Sequence, residues 1–553
     1  MAAEVKITFL GGLGEIGRNC AAFELDGRIV LLDCGLMFPD TDMLGIDVVL
    51  PDFAWLLDRA DDIEGVILTH GHEDHVGSLH YLLSEVNVPV YGSELTLGLA
   101  RGRLEEARIK NLDLVVVGDG ERRDIGPFDC EFLPVTHSVP HGFATAFHTP
   151  QGTILHSGDF KLDLTPVDGR LTDLARIGAL SSGEGIRLLL SDSTNADQHG
   201  HARSETSIGS VLYDLMHQSA GRRVITACFA SHIHRVQQLA DAATAFGRVI
   251  APLGRSMRRN ISMAREMGLL KIPEQSLIDI EDADKFDDGQ VLVICTGSQG
   301  EPMSALALLA ANENRWLKIT PNDTVILSSH PIPGNEHAVT RVIDNLVRHG
   351  AEVVHSGIAD VHATGHAKSE DLKLFLSVAR PDWFIPVHGE YRHLVAHGRL
   401  ARQMGVAEDQ IVIAEDGDVV VVADNVIAVR DRVPAEYIYV HGTVGDVGAS
   451  TIGERRILGD EGVVAVIVCV DFAKRDLVAG PEIATRGWVG GDDASDLSKR
   501  VMERVRTNVV AHLDGKNNVD AGSVEKIIRR SAGSTVNELT RRRPMIVPVV
   551  IQP

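Results

Sequence analysis

Cysteine and long apolar runs are both scarce in this 553-residue sequence. The six cysteines lie far apart and form no C-x-x-C pair, which argues against a zinc ribbon or a disulfide framework and favours buried, reduced thiols. No apolar run approaches the roughly 20 residues that span a bilayer. No signal-peptide pattern precedes the first strand-like stretch. We therefore expect a cytoplasmic protein without a membrane segment.

Positive charge is also in short supply, with 53 Lys and Arg against 77 Asp and Glu and a net charge of −24. This balance argues against a protein that is covered by nucleic acid over its whole surface. It does not exclude a local cationic site, because bound metal ions are not counted in the charge of the chain. Several of the 24 histidines stand beside Gly, Ser or Asp at predicted strand ends, where ligands are often found.

A glycine-rich motif of the form G-x-G-x-x-G follows the first predicted strand, at Gly12, Gly14 and Gly17. With Asp33 further on, the spacing resembles a dinucleotide-binding fingerprint, which requires a long helix after the glycines. Instead, two strand-like runs follow, joined by the hairpin turn Asp26-Gly27. This pattern favours a tight loop at the edge of an active site over a dinucleotide site.

The strand and helix patterns change twice along the chain. Up to about residue 192 short β-rich runs alternate with loops, whereas after residue 204 helices alternate with strands, as in a parallel α/β domain. The β-rich pattern resumes near residue 382 and continues to residue 429, so the α/β region is expected to be an insertion in a discontinuous host domain. The end of the chain predicts a small α/β domain after a turn-rich stretch at 440–453.

The strongest chemical signal is the motif His70-Gly-His72-Glu-Asp74-His75, directly after a predicted strand at 66–69. Four potential ligands within six residues converge where a strand turns into a helix, and imidazoles with a carboxylate suit zinc or manganese. Without a metal, three imidazoles would lie together with nothing to offset their repulsion on protonation.

This motif resembles the H-x-H-x-D-H signature of the metallo-β-lactamase superfamily. The superfamily takes its remaining ligands from later strand ends, and His137, Asp159 and His388 stand in the corresponding order. The resemblance implies that one metal is held by His70, His72 and His137, the second by Asp74, His75 and His388, and that Asp159 bridges them. It also matches Asp33 to a carboxylate that orients the ligand loop, although a strand-end turn explains that residue equally well.

Three motifs resemble the β-CASP subgroup of this superfamily, and the whole pattern is similar to the ribonuclease J (RNase J) family over nearly the full chain. Ser191-Asp192 matches its acidic motif A, His362-Ala-Thr-Gly-His366 its motif B, and His388 its motif C. One departure is Thr364, where many members of the family carry serine; the hydroxyl is retained.

The resemblance implies an α/β fold with three parts: a metallo-β-lactamase αββα sandwich, an inserted β-CASP parallel α/β domain, and a small α/β C-terminal domain. The predicted boundaries assign the sandwich to 1–203 and 357–432, the insertion to 204–356, a linker to 433–458 and the C-terminal domain to 459–553.

The implied activity is metal-dependent RNA cleavage, both 5′→3′ exonucleolytic and endonucleolytic, in rRNA maturation and mRNA decay. Two Zn²⁺ or Mn²⁺ ions would activate a hydroxide that attacks the phosphodiester. Asp74 is expected to serve catalysis through its metal. His366 would protonate the departing 3′ oxygen or hold the scissile phosphate, and Asp192 would orient it.

Substrate phosphates are expected at loops that follow strands of the insertion and at motif B. Helix N-terminal amides at these loops would face an anion, and in the resembled family this surface binds an RNA 5′ monophosphate. Helix caps and glycine turns explain each loop about equally well. The candidates are Ser231, His232, His234, Ser298, Gly300, His362, Ala363, Thr364, Gly365 and His366.

The remaining implications of the resemblance concern partners. Some members bind a structural calcium ion at positions comparable to Gly45, Asp47 and Asp446, which acidic turn residues alone would not suggest. The C-terminal domain would support a homodimer or homotetramer, and the enzyme would join an RNA-degradation complex.

Three alternatives remain open at this point. One is a β-CASP nuclease that acts on DNA, since the 2′-hydroxyl contacts that distinguish RNA cannot be read from the sequence. The second is a hydrolase of small esters or thioesters, although such a substrate needs no phosphate-binding insertion. The third is a non-catalytic RNA-binding subunit, which would have no need for a complete set of ligands.

Overall fold

Two facing β-sheets are built from the β-rich parts of the chain. The computed structural model describes residues 3–40, 42–332, 335–424, 426–442, 445, 447–488, 493–515 and 519–553. The first sheet has eight strands, in the spatial order Val426–Arg432, Asp418–Ala423, Val5–Gly11, Cys20–Leu25, Arg28–Leu32, Ile63–Ile67, Val90–Gly92 and Leu114–Val116. The second has six, in the order Trp383–Val387, Ile186–Asp192, Gly152–His156, Gly142–Thr149, Phe128–Val135 and Arg122–Ile125.

The inner faces of these sheets share one apolar core. Phe23 from the first sheet stacks on Phe147 from the second with ring centroids 4.2 Å apart. Separate buried clusters join the outer face of each sheet to helices. These helices are Ala54–Leu57, Leu79–Glu85 and Glu94–Glu106 on the first sheet, and Leu174–Ser182, Ser369–Ala379 and Tyr391–Gln403 on the second. The predicted αββα sandwich is confirmed.

The predicted insertion forms a five-stranded, fully parallel sheet. Its strands run in the order Val249–Leu253, Val291–Cys295, Arg223–Ala227, Asp323–Leu327 and Glu352–Val354. Apolar clusters bury both faces of this sheet, as expected for strands without alternating polarity. The accompanying helices are Thr206–Gln218, Ile233–Ala245, Arg255–Glu266, Ala305–Ala310 and Glu336–Arg348.

The glycine-rich loop near the N-terminus forms a small parallel bridge instead of a dinucleotide site. A strand, Cys20–Leu25, follows the loop, and Asp26 and Gly27 have φ of +51° and +79° at the hairpin turn. Leu13–Gly14 pairs in parallel with Gly389–Glu390, directly after His388. The expected position at the edge of the candidate site is therefore observed.

A second unit consists of Pro39–Val48 and Ile438–Pro553. Its three-stranded sheet has the order Asp476–Arg486, Val463–Asp471 and Met545–Ile551, and the helices Asp493–Leu513 and Ala521–Thr540 share its apolar core. Where the sequence predicted a linker at 433–458, the structure has the strand Ile438–Val440 and the helix Ala449–Glu461. Across the described residues, no helix has the length and apolar character that crossing a bilayer requires.

Candidate metal centre

The loop that carries His70 and His72 is fixed by the strand before it and by Asp33. Strand Ile63–Ile67 is buried, and two residues beyond its end the amide and hydroxyl of Thr69 donate to the Asp33 carboxylate at 2.7 and 2.8 Å. His72 then begins the single helical turn Glu73–Val76. Asp74 and His75 therefore lie in this helical turn, directly after His70 and His72.

Three imidazoles form the first group of potential ligands. Nδ1 of His72 lies 3.0 Å from Nε2 of His70 and 3.1 Å from Nε2 of His137. His137 donates from Nδ1 to the Gly365 carbonyl at 2.7 Å, which leaves the lone pair on its Nε2. Burial, reinforced by the neighbouring imidazoles, lowers the pKa of His70 and of His137 well below the ordinary value. Burial also lowers the pKa of His72 to about 4, so all three rings are in the neutral form that a metal requires.

Asp74, His75 and His388 form the second group. His388 Nε2 lies 3.3 Å from Asp74 Oδ2, and its Nδ1 lies 2.6 Å from the hydroxyl of Thr194. His75 Nδ1 lies 2.8 Å from Asp33 Oδ2. Each ring is thus oriented through Nδ1 and directs Nε2 into the site, the arrangement in which outer partners orient metal-binding histidines.

Asp159 Oδ2 lies between the two groups. It is 3.2 Å from Nε2 of His75, 3.6 Å from His388, 3.7 Å from His70 and 4.0 Å from His137. The atom is buried and has no hydrogen-bond partner among the described residues. A buried carboxylate oxygen facing four imidazole nitrogens without a hydrogen bond fits a bridging metal ligand.

The charge balance of the site also calls for cations. Burial opposes the ionisation of Asp159, yet the rings of His388 and His75 hold its pKa well below the usual range. Conversely, burial opposes protonation of His388, but the carboxylates of Asp159 and Asp192 raise its pKa to about 10. The cluster of carboxylates thus draws positive charge onto imidazoles, a charge that divalent ions would supply instead. Within each group the ligand atoms lie within 4.8 Å of one another, so the donor set fits divalent metal binding.

His366 and Asp192 form a pair beside this centre. His366 Nδ1 lies 2.8 Å from Asp192 Oδ2, whose other oxygen accepts from the amide and hydroxyl of Thr194. The side chain of His366 is about one-fifth exposed, whereas that of Asp192 is buried. Burial disfavours the charged ring, but the Asp192 carboxylate raises the pKa of His366. Asp159, Asp192, His366 and His388 also satisfy the geometry of a third ligand group, which overlaps the second.

The motif B loop is held at several of its residues. Asn195 Nδ2 donates to the Thr364 hydroxyl at 2.9 Å, and Gly365 packs so closely on His137 that a Cβ would lie 2.5 Å from its ring. Ala363 is buried, and burial lowers the pKa of His362 to about 3. The neutral form of His362 is therefore favoured, and its Nδ1 is buried. Gly365 and His366 are the members of the motif that lie against the candidate ligand His137.

The strand-end loop with Ser231 begins beside the metal ligands. The Phe229 ring lies 6.5 Å from the His72 ring, and Ser231 is half-buried just before helix Ile233–Ala245. The two histidines of this loop already have carboxylate neighbours. His232 Nε2 lies 3.3 Å from Glu205 Oε1, and His234 Nε2 lies 3.3 Å from Asp168 Oδ2.

Ser298 and Gly300 lie in a second strand-end loop of the insertion. Ser298 is buried, and its carbonyl accepts from the Ser329 hydroxyl at 3.2 Å. Gly300 has φ +74°, and a Cβ there would lie 2.7 Å from the backbone of Ala338. This glycine is needed for close contact with the helix Glu336–Arg348, which explains it without a ligand.

Of the calcium candidates, Gly45 and Asp47 lie in the second unit, and Asp446 lies outside the described residues. Asp47 Oδ2 accepts from the Gly442 amide at 2.6 Å. Arg455 Nη1 donates to the Leu44 carbonyl at 3.0 Å, which brings a cation next to Gly45.

Sequence reasoning missed two side chains that orient ligands. Thr194 lies two residues after Asp192 of motif A, and its hydroxyl contacts both His388 and Asp192. Asn19 donates from Nδ2 to the Asp74 carbonyl at 3.0 Å and lies 3.1 Å from His75 Nε2. It follows the glycine-rich loop without a motif of its own, so only the fold could have indicated it.

Family models match four parts of the chain. The metallo-beta-lactamase superfamily matches residues 13–202, and the beta-CASP domain of ribonuclease J matches 221–346. The RNA specificity domain of Zn-dependent metallo-hydrolases matches 350–413, and the C-terminal domain of ribonuclease J matches 450–553.

Curated relatives match the chain over almost its full length. Ribonuclease J of Mycobacterium tuberculosis is 43% identical over 99% of this chain and 97% of its own. Ribonuclease J of Thermus thermophilus is 40% identical over 99% and 95%, and ribonuclease J2 of Bacillus subtilis 37% over 99% and 98%. A crystal structure of an Enterococcus faecalis protein of unknown function covers 76% of this chain and 100% of its own, at a TM-score of 0.53 and 14% identity, which supports the fold alone.

Proposed function

The chain belongs to the ribonuclease J family, and on that premise we propose a 5′→3′ exonuclease and endonuclease that cleaves RNA at a two-metal centre. RNA hydrolysis by a divalent-metal enzyme follows from the family itself. The direction of cleavage, the number of metals and the residues that hold them are our proposal. The observation that carries it is the unpartnered Asp159 oxygen between two groups of ligands.

We assign two Zn²⁺ or Mn²⁺ ions to the two groups. Three neutral imidazoles and a shared carboxylate suit either ion. Metal ions in these positions would polarise the phosphate and supply a hydroxide at neutral pH. The first ion would be held by His70, His72 and His137, the second by Asp74, His75 and His388, and both by Asp159.

His366 is the proposed general acid for the departing 3′ oxygen. Its Nδ1 is taken by Asp192, so Nε2 is the nitrogen that can carry a proton to the substrate. The Asp192 carboxylate stabilises the protonated ring and fixes its orientation. The same geometry would also allow Nε2 of His366 to donate a hydrogen bond to the scissile phosphate.

Recognition of the 5′ monophosphate is proposed for the strand-end loops of the insertion. Ser231 lies at the N-terminus of a 13-residue helix, two residues after Phe229, whose ring neighbours that of His72. The neighbouring carboxylates of Glu205 and Asp168 disfavour His232 and His234 as direct anion ligands, so we assign those two a supporting role. Ser298 and Gly300 would line the same edge of the sheet.

Assembly into a homodimer or homotetramer is proposed for the C-terminal domain. The sheet edge Met545–Ile551 exposes the apolar side chains Val547, Val549 and Ile551, which a second copy would cover. By family membership we also propose action in rRNA maturation and mRNA decay in the cytoplasm, within an RNA-degradation complex. Calcium at Gly45, Asp47 and Asp446 stays a prediction, since Arg455 adds positive charge there.

The test compares one uniformly labelled RNA sequence with a 5′ monophosphate, a 5′ triphosphate or a 5′ hydroxyl. We expect mononucleotides from the monophosphate form, internal cleavage of all three, and loss of both activities after chelation. His72→Ala should lose cleavage while its far-UV circular dichroism stays unchanged. Metal analysis should give two ions per chain in the active protein.

Matched DNA and a small thioester distinguish the alternatives. The RNA specificity model over residues 350–413 favours RNA over both. Faster cleavage of the DNA, or of the thioester, would contradict the proposed substrate. RNA cleavage that persists after complete removal of metal would contradict the proposed chemistry.

A further inference from the structure

Arg235 is a fully buried arginine in the inserted domain that reaches the motif B loop. It lies in the first turn of helix Ile233–Ala245 and is 0% exposed. Its guanidinium pairs with Glu205 through Nε at 3.0 Å and through Nη2. The remaining nitrogen, Nη1, donates to the Val361 carbonyl at 2.7 Å.

Ser328 provides a second donor to the same carbonyl. It follows the insertion strand Asp323–Leu327, and its hydroxyl donates to the Val361 carbonyl at 2.7 Å. Arg235 Nη1 also donates to the Ser328 hydroxyl. Two buried side chains of the insertion therefore converge on one backbone oxygen, and burial strengthens each of these hydrogen bonds because the local dielectric constant is low.

Val361 is the residue at which the chain enters motif B. His366 follows five residues later, and its ring pairs with the Asp192 carboxylate. Between Val361 and His366, the Gly365 carbonyl accepts a hydrogen bond from His137. Asn195 and Phe160 hold the far end of the loop, through Thr364 and the Ala367 amide. Val361 is the only point of this short segment whose donors come from the insertion, as far as the described residues extend.

We propose that Arg235 and Ser328 are positioning residues for RNA cleavage, through which the insertion holds the Val361 carbonyl and thereby aims His366 at the leaving oxygen. This inference rests on the proposed role of His366 as the general acid. Neither residue touches substrate or metal. They act on the reaction through the five residues of backbone between Val361 and His366. If that backbone shifted His366 by about 1 Å from the leaving oxygen, proton transfer would slow markedly.

Two variants remove these donors in different ways. Arg235→Lys keeps a positive charge for Glu205, but a single ammonium cannot reproduce the planar set of donors that reaches both Glu205 and Val361. Ser328→Ala removes the second donor, together with the hydroxyl that accepts from Arg235 Nη1, and leaves the ion pair of Arg235 with Glu205 in place. Both should lower kcat about tenfold or more while KM stays within about twofold. Because they act on one carbonyl, the double variant should lose less than the product of the two effects.

The matched control is Arg248→Lys. Arg248 is another buried arginine of the insertion, 3% exposed, that donates to the carbonyls of Ser219, Arg222 and Val291, away from motif B. The Arg248→Lys variant should lower the unfolding temperature about as much as Arg235→Lys does, but it should leave kcat unchanged. An equal loss of kcat in the control would mean that Arg235 serves only the stability of the insertion.

A substrate with a better leaving group tests the route through His366. In RNA with a 3′-bridging sulfur at the scissile linkage, cleavage of the P–S bond releases a thiolate that needs no proton. Relative to the wild type, Arg235→Lys, Ser328→Ala and His366→Ala should all recover on this substrate. If only His366→Ala recovers, the inference about the insertion is wrong and the acid role stands. If His366→Ala does not recover, the proposed acid itself is wrong.

Measurements of metal content test whether the two variants slow the reaction by weakening metal binding. Both positioning variants should bind as many ions per chain as the wild type. If their kcat returned to normal when excess metal was added, the defect would lie in the metal ligands, for instance at His137, and the inference would be overturned.

Discussion

The carbonyl of Gly365 accepts a 2.7 Å hydrogen bond from Nδ1 of His137, a residue 228 positions earlier in the chain. The bond fixes the tautomer of a candidate metal ligand from within motif B. The motif that carries the proposed acid therefore also orients a ligand of the proposed first metal. A shift of the motif B backbone would therefore affect both the proposed acid, His366, and the candidate metal ligand His137.

Gly365→Ala should damage this link directly. Its Cβ would lie 2.5 Å from Cε1 of His137 and 2.8 Å from the Ser138 hydroxyl, so the ring or the loop must shift. We expect weaker binding of one metal ion and a loss of kcat of about tenfold or more, measured by metal titration and steady-state kinetics. Gly178→Ala is the control, because it lies in helix Leu174–Ser182 and its Cβ would have its nearest contact at 3.5 Å. Unchanged metal affinity in Gly365→Ala would contradict the prediction.

Asp159→Asn should remove the bridging charge. An amide keeps the shape of the side chain but loses the negative charge that both proposed metals share. We expect the number of bound ions per chain to fall below one, and RNA cleavage to become undetectable, with folding preserved. The exposed Asp124→Asn controls for the loss of one carboxylate. Two tightly bound ions in Asp159→Asn would show that Asp159 does not bridge.

The ligand loop at the strand end before His70 could be predicted from the sequence because its donors are local. His70, His72, Asp74 and His75 lie so close in the sequence that their side chains must be neighbours in any fold. The apolar run before them predicts a strand, which places them at its end. Asp159 and His388 came only from resemblance to a family, since a single strand-end residue is ambiguous. The structure brings all seven together, which no local pattern could derive.

Contacts between distant buried polar groups were beyond sequence reasoning. The partnership of Arg235 with Val361 spans 126 positions, and nothing in a helix sequence reveals that its arginine points inward. The helix Ala449–Glu461 likewise begins in a stretch that the sequence predicts to be a linker, because glycines at 442, 445 and 448 favour turns. It has no fully buried residue, so the apolar stripe that normally reveals a helix is weak there.

Asp192→Asn should separate orientation from metal binding. Oδ2 of Asp192 accepts from His366 Nδ1 at 2.8 Å, and an asparagine either presents a weaker, neutral acceptor or turns its amide group toward the ring. We expect kcat to fall about tenfold to a hundredfold with metal content unchanged. Activity within a factor of two of the wild type would remove Asp192 from the mechanism.

Asp416 should make the stability of the chain depend on pH near neutrality. Its Oδ2 lies 2.8 Å from Arg18 Nη2, while Glu15 holds the same guanidinium through Nε at 2.7 Å. Burial, together with the neighbouring Glu15 carboxylate, raises the pKa of Asp416 to about 7. The folded state therefore binds a proton more tightly than the unfolded chain, in which the pKa has its ordinary value of 3.8.

The sign follows from this difference. The stabilisation from the protonated carboxyl is complete below the unfolded pKa and is lost as pH rises through about 7. Between those limits the site should lower the free energy of unfolding by up to about 1.4 kcal/mol per pH unit. Asp416→Asn cannot ionise, so denaturant titrations at pH 5, 6, 7 and 8 should show a shallower decline than in the wild type. The exposed Asp424→Asn should keep the wild-type slope. Equal slopes in wild type and Asp416→Asn would mean that Asp416 is already ionised at pH 5 in the folded protein, and that the shared guanidinium outweighs both its burial and Glu15.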